Sequence, residues 1–442
     1  MTGALFISYY GDDFTGSTDV MEALTTGGIE TVLFTSIPDK KQLARFKHCR
    51  AVGLAGISRS QAPGWMSETL PAIFSWLKSL DARFCHYKTC STFDSSPEKG
   101  SIGRALEIGL ETFSQRRTVV VVGAPQLRRY TFFGTLFAAY GEQVYRIDRH
   151  PVMSRHPATP MHEADLIEHL SLQTDLPFEC LTPLDGSIAA PRTHQARETG
   201  QARTASRLID VYDSLSQAAA GGHIEDNRQD LGPFIAGSSG VEYALLRRWR
   251  ELDLLPPPAV SRPLAARSRI AVVSGSCSPT TARQIETAEK RGFEGVPVNF
   301  NALATGDGLQ QETDRVLQIA STALEAGQSP VLYTAKGKAA APVSGPLNLD
   351  GVGKTLGRLL ATLKDRHHLE RVAVAGGDTS SHALAELDVF ALTLRQAIPT
   401  TPGSPVCTAH TRDGPEFEIA LKGGQIGTDT YFADLRDGTF GT

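Results

Sequence analysis

Short apolar runs recur along the chain. Each ends in a loop of glycine, hydroxyl and acidic residues and is followed by a helix-like stretch. Ala4-Leu5-Phe6-Ile7 reads as a buried strand that feeds Tyr9-Tyr10-Gly11-Asp12-Asp13-Phe14-Thr15-Gly16, and then a helix from Ser17 to Thr26 stopped by Gly27-Gly28. Ile29–Phe34, Arg50–Ile57, Phe84–Lys88, Thr118–Val122, Leu208–Tyr212 and Phe234–Gly237 read as further strands. Val241–Leu252 and Met161–Leu172 read as helices. Another helix ends near Leu80 and is expected to start near Leu70, because Pro71 fits only a first turn. The theme repeats from Ile270: strands at Ile270–Val273, Val331–Tyr333, Val372–Ala375 and Ile419–Leu421, with helices at Thr280–Arg291, Val352–Leu363 and from near His382. Continuous apolar runs alternating with helices predict buried parallel strands. The expected fold is α/β, in two domains, each with a mostly parallel sheet flanked by helices. The proline-dense segment Leu254-Leu255-Pro256-Pro257-Pro258-Ala259-Val260-Ser261-Arg262-Pro263 is the expected linker. The boundaries are then 1–253, a linker at 254–267, and 268–442.

A length of 442 residues agrees with two cores rather than one. The net charge of −4 gives no reason to expect nucleic acid or an anionic membrane as partner. The six cysteines show no CxxC spacing, so neither a zinc site nor a disulfide framework is indicated. With no signal-peptide pattern and no apolar run long enough to span a bilayer, a cytoplasmic protein is expected.

The chemistry gathers at the strand ends. Asp12 and Asp13 sit between a strand and a helix start, where open α/β sheets bind ligands. One could accept a proton from a hydroxyl while the other orients the ligand. The pair reads equally as a helix N-cap with spare surface acids. Arg59 reads as a carboxylate or phosphate fork, or as a surface ion pair. Lys88-Thr89-Cys90-Ser91-Thr92-Phe93-Asp94-Ser95 offers charge, hydroxyls and an acid suited to a polyhydroxylated anion, or forms a plain turn. Arg128, Arg129 and Tyr130 follow the Thr118–Val122 strand in a donor-rich turn. His156 is read as a substrate contact or as a hydrogen-bonded structural histidine. Gly237-Ser238-Ser239-Gly240 is read as a helix-start anion site or a tight turn. Three small-residue loops, Ser274–Ser278, Gly376–Ser381 and Lys422–Gly427, would let backbone N–H groups approach phosphate oxygens. Gly351-Val352-Gly353-Lys354-Thr355 looks like half a P-loop. The full motif needs glycine where Asn348 stands, so this segment reads as a helix start.

Taken in order, Asp12-Asp13-Phe14-Thr15-Gly16, Lys88–Ser95, His156-Pro157-Ala158-Thr159-Pro160-Met161, Gly237–Gly240, Ser274–Ser278 and Gly376–Ser380 make a set that resembles the four-carbon acid sugar kinase family, long catalogued as a domain of unknown function. The resemblance runs almost the whole length. It implies an amino-terminal sugar-acid-binding domain and a carboxy-terminal ATP-binding domain. It implies catalysis by Asp12 or Asp13 and substrate contacts at Asp12, Arg59, Lys88, Thr89, Cys90 and Ser91. ATP contacts are implied at Ser274, Ser276, Gly376, Gly377, Asp378, Thr379, Gly423 and Gly424, with Mg²⁺ bridging the phosphates; the metal ligands are not legible. Members phosphorylate small sugar acids. Two departures, Ser381 in place of a glycine and Gln425-Ile426 in place of Asn-Phe, fall on the nucleotide side and suggest a divergent subgroup. A non-catalytic sugar-acid sensor, and a metal-dependent hydrolase or isomerase built on Asp12 and Asp13, are the alternative classes. A homo-oligomer is compatible with the sequence.

Overall fold

The computed structural model describes residues 4–156, 159–182, 205–257, 263–337 and 348–440. The chain divides into two compact units, Met1–Ala259 and Val260–Thr442. The proline-dense segment straddles this division, and its residues 258–262 lie outside the described residues.

The first unit is laid on strands β1 (Ile7–Gly11), β2 (Thr31–Phe34), β3 (Ala51–Ala55), β4 (Phe84–Lys88) and β5 (Val119–Val121). A small antiparallel sheet follows: β6 (Arg129–Phe132), β7 (Thr135–Tyr140) and β8 (Gln143–Arg146). The main sheet resumes with β9 (Phe178–Leu181), β10 (Ser206–Ile209) and β11 (Phe234–Gly237). Within this unit its order is β2-β3-β1-β4-β11-β5-β10-β9, every pair parallel. After β1 the chain moves out to β2 and β3 on one side and then crosses to β4 on the other. The carboxyl ends of β1 and β4 therefore flank a topological switch point, where open α/β sheets form a crevice.

Helix α1 (Phe14–Thr26) leaves β1 directly and packs Phe14, Val20, Met21 and Leu24 inward. Gly11 closes β1 because a side chain there would collide with the Ser17 hydroxyl, 2.0 Å from where a Cβ would stand. Helix α2 (Lys40–Ala44) is short. Helix α3 runs Pro63–Ser79, a full turn and more ahead of the expected start, with Pro63 in its first turn and Pro71 inside it. Met66, Leu70, Phe74 and Leu77 form one buried stripe that holds the helix together across Pro71. Burying each such side chain is worth roughly 1.5–3 kcal/mol, enough to offset a proline inside the helix. Helices α4 (Ile102–Phe113) and α5 (Leu166–Ser171) follow. The expected helix at Met161–Leu172 is shortened to α5, because Asp165 supplies the N-cap, accepting from Ile167 and Glu168. Helices α6 (Ser214–Asp226), α7 (Arg228–Leu231) and α8 (Gly240–Glu251) complete the unit.

The second unit has β12 (Ala271–Ser274), β13 (Phe293–Pro297), β14 (Ser329–Tyr333), β15 (Arg371–Ala375), β16 (Val389–Gln396), β17 (Val406–Thr411) and β18 (Phe417–Lys422). Its order is β13-β14-β12-β15-β18-β17-β16; the run from β13 to β18 is parallel, and β18, β17 and β16 pair antiparallel. Its first strand, β12, again has the next two on one side and the fourth, β15, on the other. Helices α9 (Pro279–Lys290), α10 (Phe300–Thr305), α11 (Leu309–Glu325), α12 (Leu349–Arg366), α13 (Gly377–Glu386) and α14 (Tyr431–Asp437) flank it. Val272, Ile285, Val331, Ala373, Tyr431 and Leu435 share its core. The half P-loop is helix: Asn348 caps α12 by accepting from Gly351 N–H. Among the described residues no helix is long and apolar enough to cross a membrane.

Candidate active site

The two acids after β1 divide their duties. Asp13 is the N-cap of α1: one carboxylate oxygen accepts from Gly16 N–H at 2.6 Å and the other from Arg59 Nη1 at 2.9 Å. Asp12 is only 3% exposed, and its backbone is clamped between strand ends, N–H to the Lys88 carbonyl and C=O from Arg59 N–H. Its Oδ1 is buried without a hydrogen-bond partner. Burial, helped by neighbouring Asp13, pushes the Asp12 pKa up to about 7, against the opposing pull of Arg59 and Lys88.

Arg59 lies on a single turn just past β3, at Ser58–Ser60. Its Nε and Nη2 both bind Asp94 Oδ2, at 3.1 and 2.6 Å, while Nη1 holds Asp13. Asp94 also accepts from the hydroxyls of Thr92 and Thr159, the latter at 2.8 Å. Burial would raise the Asp94 pKa, but Arg59 and the two hydroxyls outweigh it and hold the group below the usual carboxylate range. His156 is turned to structure, its Nδ1 accepting from Thr159 N–H at 3.2 Å. Pro157 and Ala158 of that motif lie outside the described residues.

Lys88 ends β4, is 1% exposed, and donates to the Thr89 carbonyl at 2.9 Å. Its ammonium lies 3.8 Å from Asp19 on α1 and 3.0 Å from where a Cβ on Gly16 would stand. Burial works to lower the Lys88 pKa, but Asp19 and Asp12 together raise it above the ordinary lysine value. Asp19 also accepts from Ser239 at 2.5 Å. Below this lies His86, fully buried, with Nδ1 2.6 Å from Glu242 and Nε2 donating to the Gly237 carbonyl at 3.1 Å. The Thr89 hydroxyl is buried and unpartnered, while the Cys90 thiol lies 2.9 Å from the Thr92 hydroxyl and Ser91 is half-buried.

Asp12, Asp13, Arg59, Lys88, Thr89, Cys90 and Ser91 thus share the carboxyl rim of β3, β1 and β4. Sequence reading missed Asp19 as a partner of Lys88 and the bridging role of Asp94. Asp19 carried one signal, an acid on the apolar side of α1. Gly237–Gly240 proves a tight turn: the Ser238 hydroxyl donates to the Val122 carbonyl and the Ser239 hydroxyl to Asp19. Arg128 does form a turn, with positive φ, but Arg129 opens a strand. A cavity of about 570 Å³, lined by Leu181, Arg207, Asp210, Leu215 and His223, shares no residue with this cluster.

In the second unit the loops after β12, β15 and β18 meet. Gly275 N–H binds the Ala375 carbonyl at 3.1 Å and Gly376 N–H the Lys422 carbonyl at 2.9 Å. A Cβ on Gly275 would stand 2.3 Å from the Thr379 hydroxyl, and one on Gly424 2.4 Å from the Ser276 hydroxyl. Ser274 and Ser276 hold their own loop, each hydroxyl accepting from the N–H two residues on. Helix α13 has no side-chain cap, its N-cap being Gly376 at φ +121°. Its first-turn N–H groups, at Gly377 to Thr379, are therefore available to an anion. Asp378 is in that turn; its side chain lies outside what is described.

Lys422 is 1% exposed, and its Nζ donates to the Thr281 hydroxyl at 3.1 Å and the Gly423 carbonyl at 3.0 Å. Burial lowers its pKa to about 7. Among the described residues no group of three or more His, Cys, Asp or Glu side chains could hold a metal ion.

Known proteins align with this arrangement. A sugar-binding N-terminal domain matches residues 7–245 and a nucleotide-binding C-terminal domain matches residues 271–432. The 3-oxo-isoapionate kinase of Paraburkholderia graminis is 43% identical, over 98% of this chain and 94% of that one. The 3-oxo-tetronate kinase of Pseudomonas fluorescens is 29% identical, over 96% of this chain and 94% of that one. A crystal structure from Salmonella typhimurium LT2 superposes with a TM-score of 0.75 at 25% identity, covering 98% of both chains. One from Haemophilus influenzae, with a TM-score of 0.68 at 21% identity over 98% of this chain and all of that one, shares the fold. With both domain types matched in order and close relatives aligned end to end, this chain belongs to the four-carbon acid sugar kinase family.

Proposed function

We propose that the chain transfers the terminal phosphoryl group of ATP to a hydroxyl of a small sugar acid, with Asp12 as the general base. The observation that carries the proposal is Asp12 Oδ1: a buried, unpartnered carboxylate oxygen at the switch point of the sheet, with its pKa raised to about 7. A base with a pKa near the working pH is half in the accepting form and still binds a proton strongly. Asp13, engaged by the helix N-terminus and Arg59, is a positioning residue rather than the base.

The acceptor hydroxyl donates to Asp12 Oδ1 and loses its proton there as the new O–P bond forms and the bond from the terminal phosphorus to the bridging oxygen breaks, releasing ADP. Thr89, Cys90 and Ser91 face the remaining hydroxyls. Arg59 keeps Asp13 and Asp94 fixed on either side, and Lys88 lends positive charge at the start of α1. The phosphates rest on the loops after β12, β15 and β18, where the first turn of α13, Gly377 to Thr379, offers backbone N–H groups and Ser274, Ser276, Gly376, Gly423 and Gly424 shape the loops around it. Phosphoryl transfer asks of a protein mainly in-line positioning and charge stabilisation. Mg²⁺ neutralises phosphate charge in such reactions. It keeps most of its waters and binds through phosphates with one or two carboxylates, so a protein in which, among the described residues, no group of three or more side chains could hold a metal ion fits an ion that comes with the nucleotide.

For the substrate class we propose a branched or 3-oxo sugar acid, a reading supported by the name of the 43% identical relative. A reducing, cytoplasmic setting agrees with six free cysteines. The test is coupled ADP release with Mg-ATP across four- and five-carbon aldonic, oxo and branched acids. A strong response to an acid is expected, lowered about 10²- to 10⁴-fold in Asp12→Asn. Acid binding without ADP release would leave a sensor; metal-dependent turnover without nucleotide would leave a hydrolase or isomerase.

A further inference from the structure

The charges of the sugar-acid rim do not favour an acid. Among the described residues, the cations paired with Asp13, Asp19 and Asp94, and acting on Asp12, are Arg59 and Lys88. Arg59 is bound on two sides by carboxylates, and Lys88 lies beside Asp19. A substrate carboxylate brought here meets surplus negative charge. Recognition of the acid needs a further cation, close to the rim and not already neutralised.

Arg129 meets these conditions. It opens β6 immediately past the end of β5, tied there by paired backbone bonds with Ala124 at 2.9 and 3.1 Å. In the sheet β5 is next to β11, and β11 is next to β4, which delivers Lys88 to Cys90. Cys90 is within electrostatic reach of Arg129, and Arg59, Asp94 and Asp13 act on Cys90 in turn, so the two groups have this residue as a common neighbour.

Arg129 Nη1 donates only to backbone carbonyls, those of Leu127 at 3.1 Å, Arg128 at 3.2 Å and Ala139 at 3.4 Å. Its Nε is buried with no acceptor. No carboxylate pairs with it among the described residues, and burial lowers its pKa below the usual arginine value.

His150 adds a second donor. Its Nδ1 accepts from the N–H groups of Val152 and Met153, both at 3.2 Å, which puts the ring proton on Nε2. That nitrogen is buried and makes no hydrogen bond of full geometry; burial lowers its pKa, the nearby Ala139 carbonyl opposes that, and Arg129 adds a smaller lowering effect. Arg129 Nε, a buried guanidinium donor with no acceptor, and the His150 N–H, which shares the Ala139 carbonyl with Arg129 Nη1, describe half of a carboxylate site.

We propose that Arg129, with His150 Nε2 beside it, recognises the carboxylate of the substrate, while Asp12 and the Lys88–Ser91 loop handle its hydroxyl end. This rests on the sugar-acid reading given above. It assigns selection for an acid to the small antiparallel sheet rather than to Arg59 or Lys88.

The experiment measures binding of a sugar acid and of its neutral carboxamide by calorimetry, without nucleotide, and ADP release with Mg-ATP, for the parent protein, Arg129→Gln and Arg129→Lys. The parent should bind the acid in preference to the amide. Arg129→Gln should weaken acid binding about 10- to 100-fold and leave amide binding within about twofold. Arg129→Lys should keep part of the preference, and it remains informative if the glutamine variant fails to fold. Equal acid binding by parent and variants, or equal losses for acid and amide, would overturn the assignment. Acid binding that depends on Arg129 but yields no ADP would instead overturn the kinase reading alone, and a parent that binds no acid would overturn both.

Discussion

The two units share a plan and differ in material. In each, the first strand has the next two on one side and the fourth on the other, which opens a crevice at the carboxyl ends of β1 and β4, and again at β12 and β15. In the first unit that crevice is filled with charge. Asp12, Asp13, Asp19, Asp94, Arg59 and Lys88 are buried or half-buried, and all but Asp12 have their charged groups spoken for. In the second it is lined by glycine, serine and threonine, and Lys422 has no carboxylate partner among the described residues. The contrast follows from the ligands. A polyhydroxylated acid must be oriented atom by atom and lose a proton, which requires side chains with fixed geometry and tuned pKa values. A polyphosphate carries its own charge and asks chiefly for close backbone N–H groups.

Predictions that would break or sharpen this contrast run from large to small. Asp12→Asn should reduce kcat about 10²- to 10⁴-fold while acid binding, read by calorimetry, changes little. Arg59→Met should leave Asp13 and Asp94 without their cation and lower the unfolding free energy by about 3 kcal/mol in a denaturant titration; a loss below about 1 kcal/mol would mean the network is not holding the rim. Gly424→Ala places a methyl group against the Ser276 hydroxyl. It should raise KM for ATP about tenfold or more, about 1.4 kcal/mol, and leave acid binding unchanged. Lys422→Met should have the smallest effect and the clearest sign. The parent's lysine titrates near 7 when folded and near its ordinary value when unfolded, so the unfolded chain holds more protons between those values and the parent gains stability as pH rises through that window. Methionine removes this term, so the variant should melt about 2 °C or more above the parent at pH 6, the gap narrowing by pH 9.

The strand–loop–helix rhythm was legible because parallel strands buried on both faces read as apolar runs, and β4, β12 and β15 stand where those runs lie, whereas β1 meets the run Ala4–Ile7 only at Ile7 and continues through Tyr9 and Tyr10 to Gly11. Other elements were decided by tertiary contact. Pro71 suggested a helix start, yet α3 continues through it because four buried side chains outweigh one lost hydrogen bond. The strands at 129–146 were missed because they are short, half-exposed and antiparallel, outside the strand–loop–helix rhythm even where β7 carries the run Leu136-Phe137-Ala138-Ala139, and the middle of the chain gave little pattern for α6. At the site, sequence supplied Asp12, Asp13, Arg59 and Lys88 but not their division of labour. Two adjacent acids look alike until the helix geometry spends one as a cap and buries the other. Asp19 and Asp94 complete their ion pairs only through the fold, from positions 69 and 35 residues away from their partners in sequence (88 − 19 and 94 − 59).

The most direct test is the pH dependence of ATP-driven phosphorylation of a branched 3-oxo sugar acid, followed by ADP release in the parent and in Asp12→Asn. A base must be deprotonated to accept the hydroxyl proton. Burial and Asp13 place that ionisation at about 7, so kcat/KM for the parent should climb with pH and level off above about 7, while the residual rate of Asp12→Asn should lack that rise. An Asp12→Asn variant with near-parental rate, or one that keeps the same pH limb, would contradict the assignment of Asp12 as the group that takes the proton.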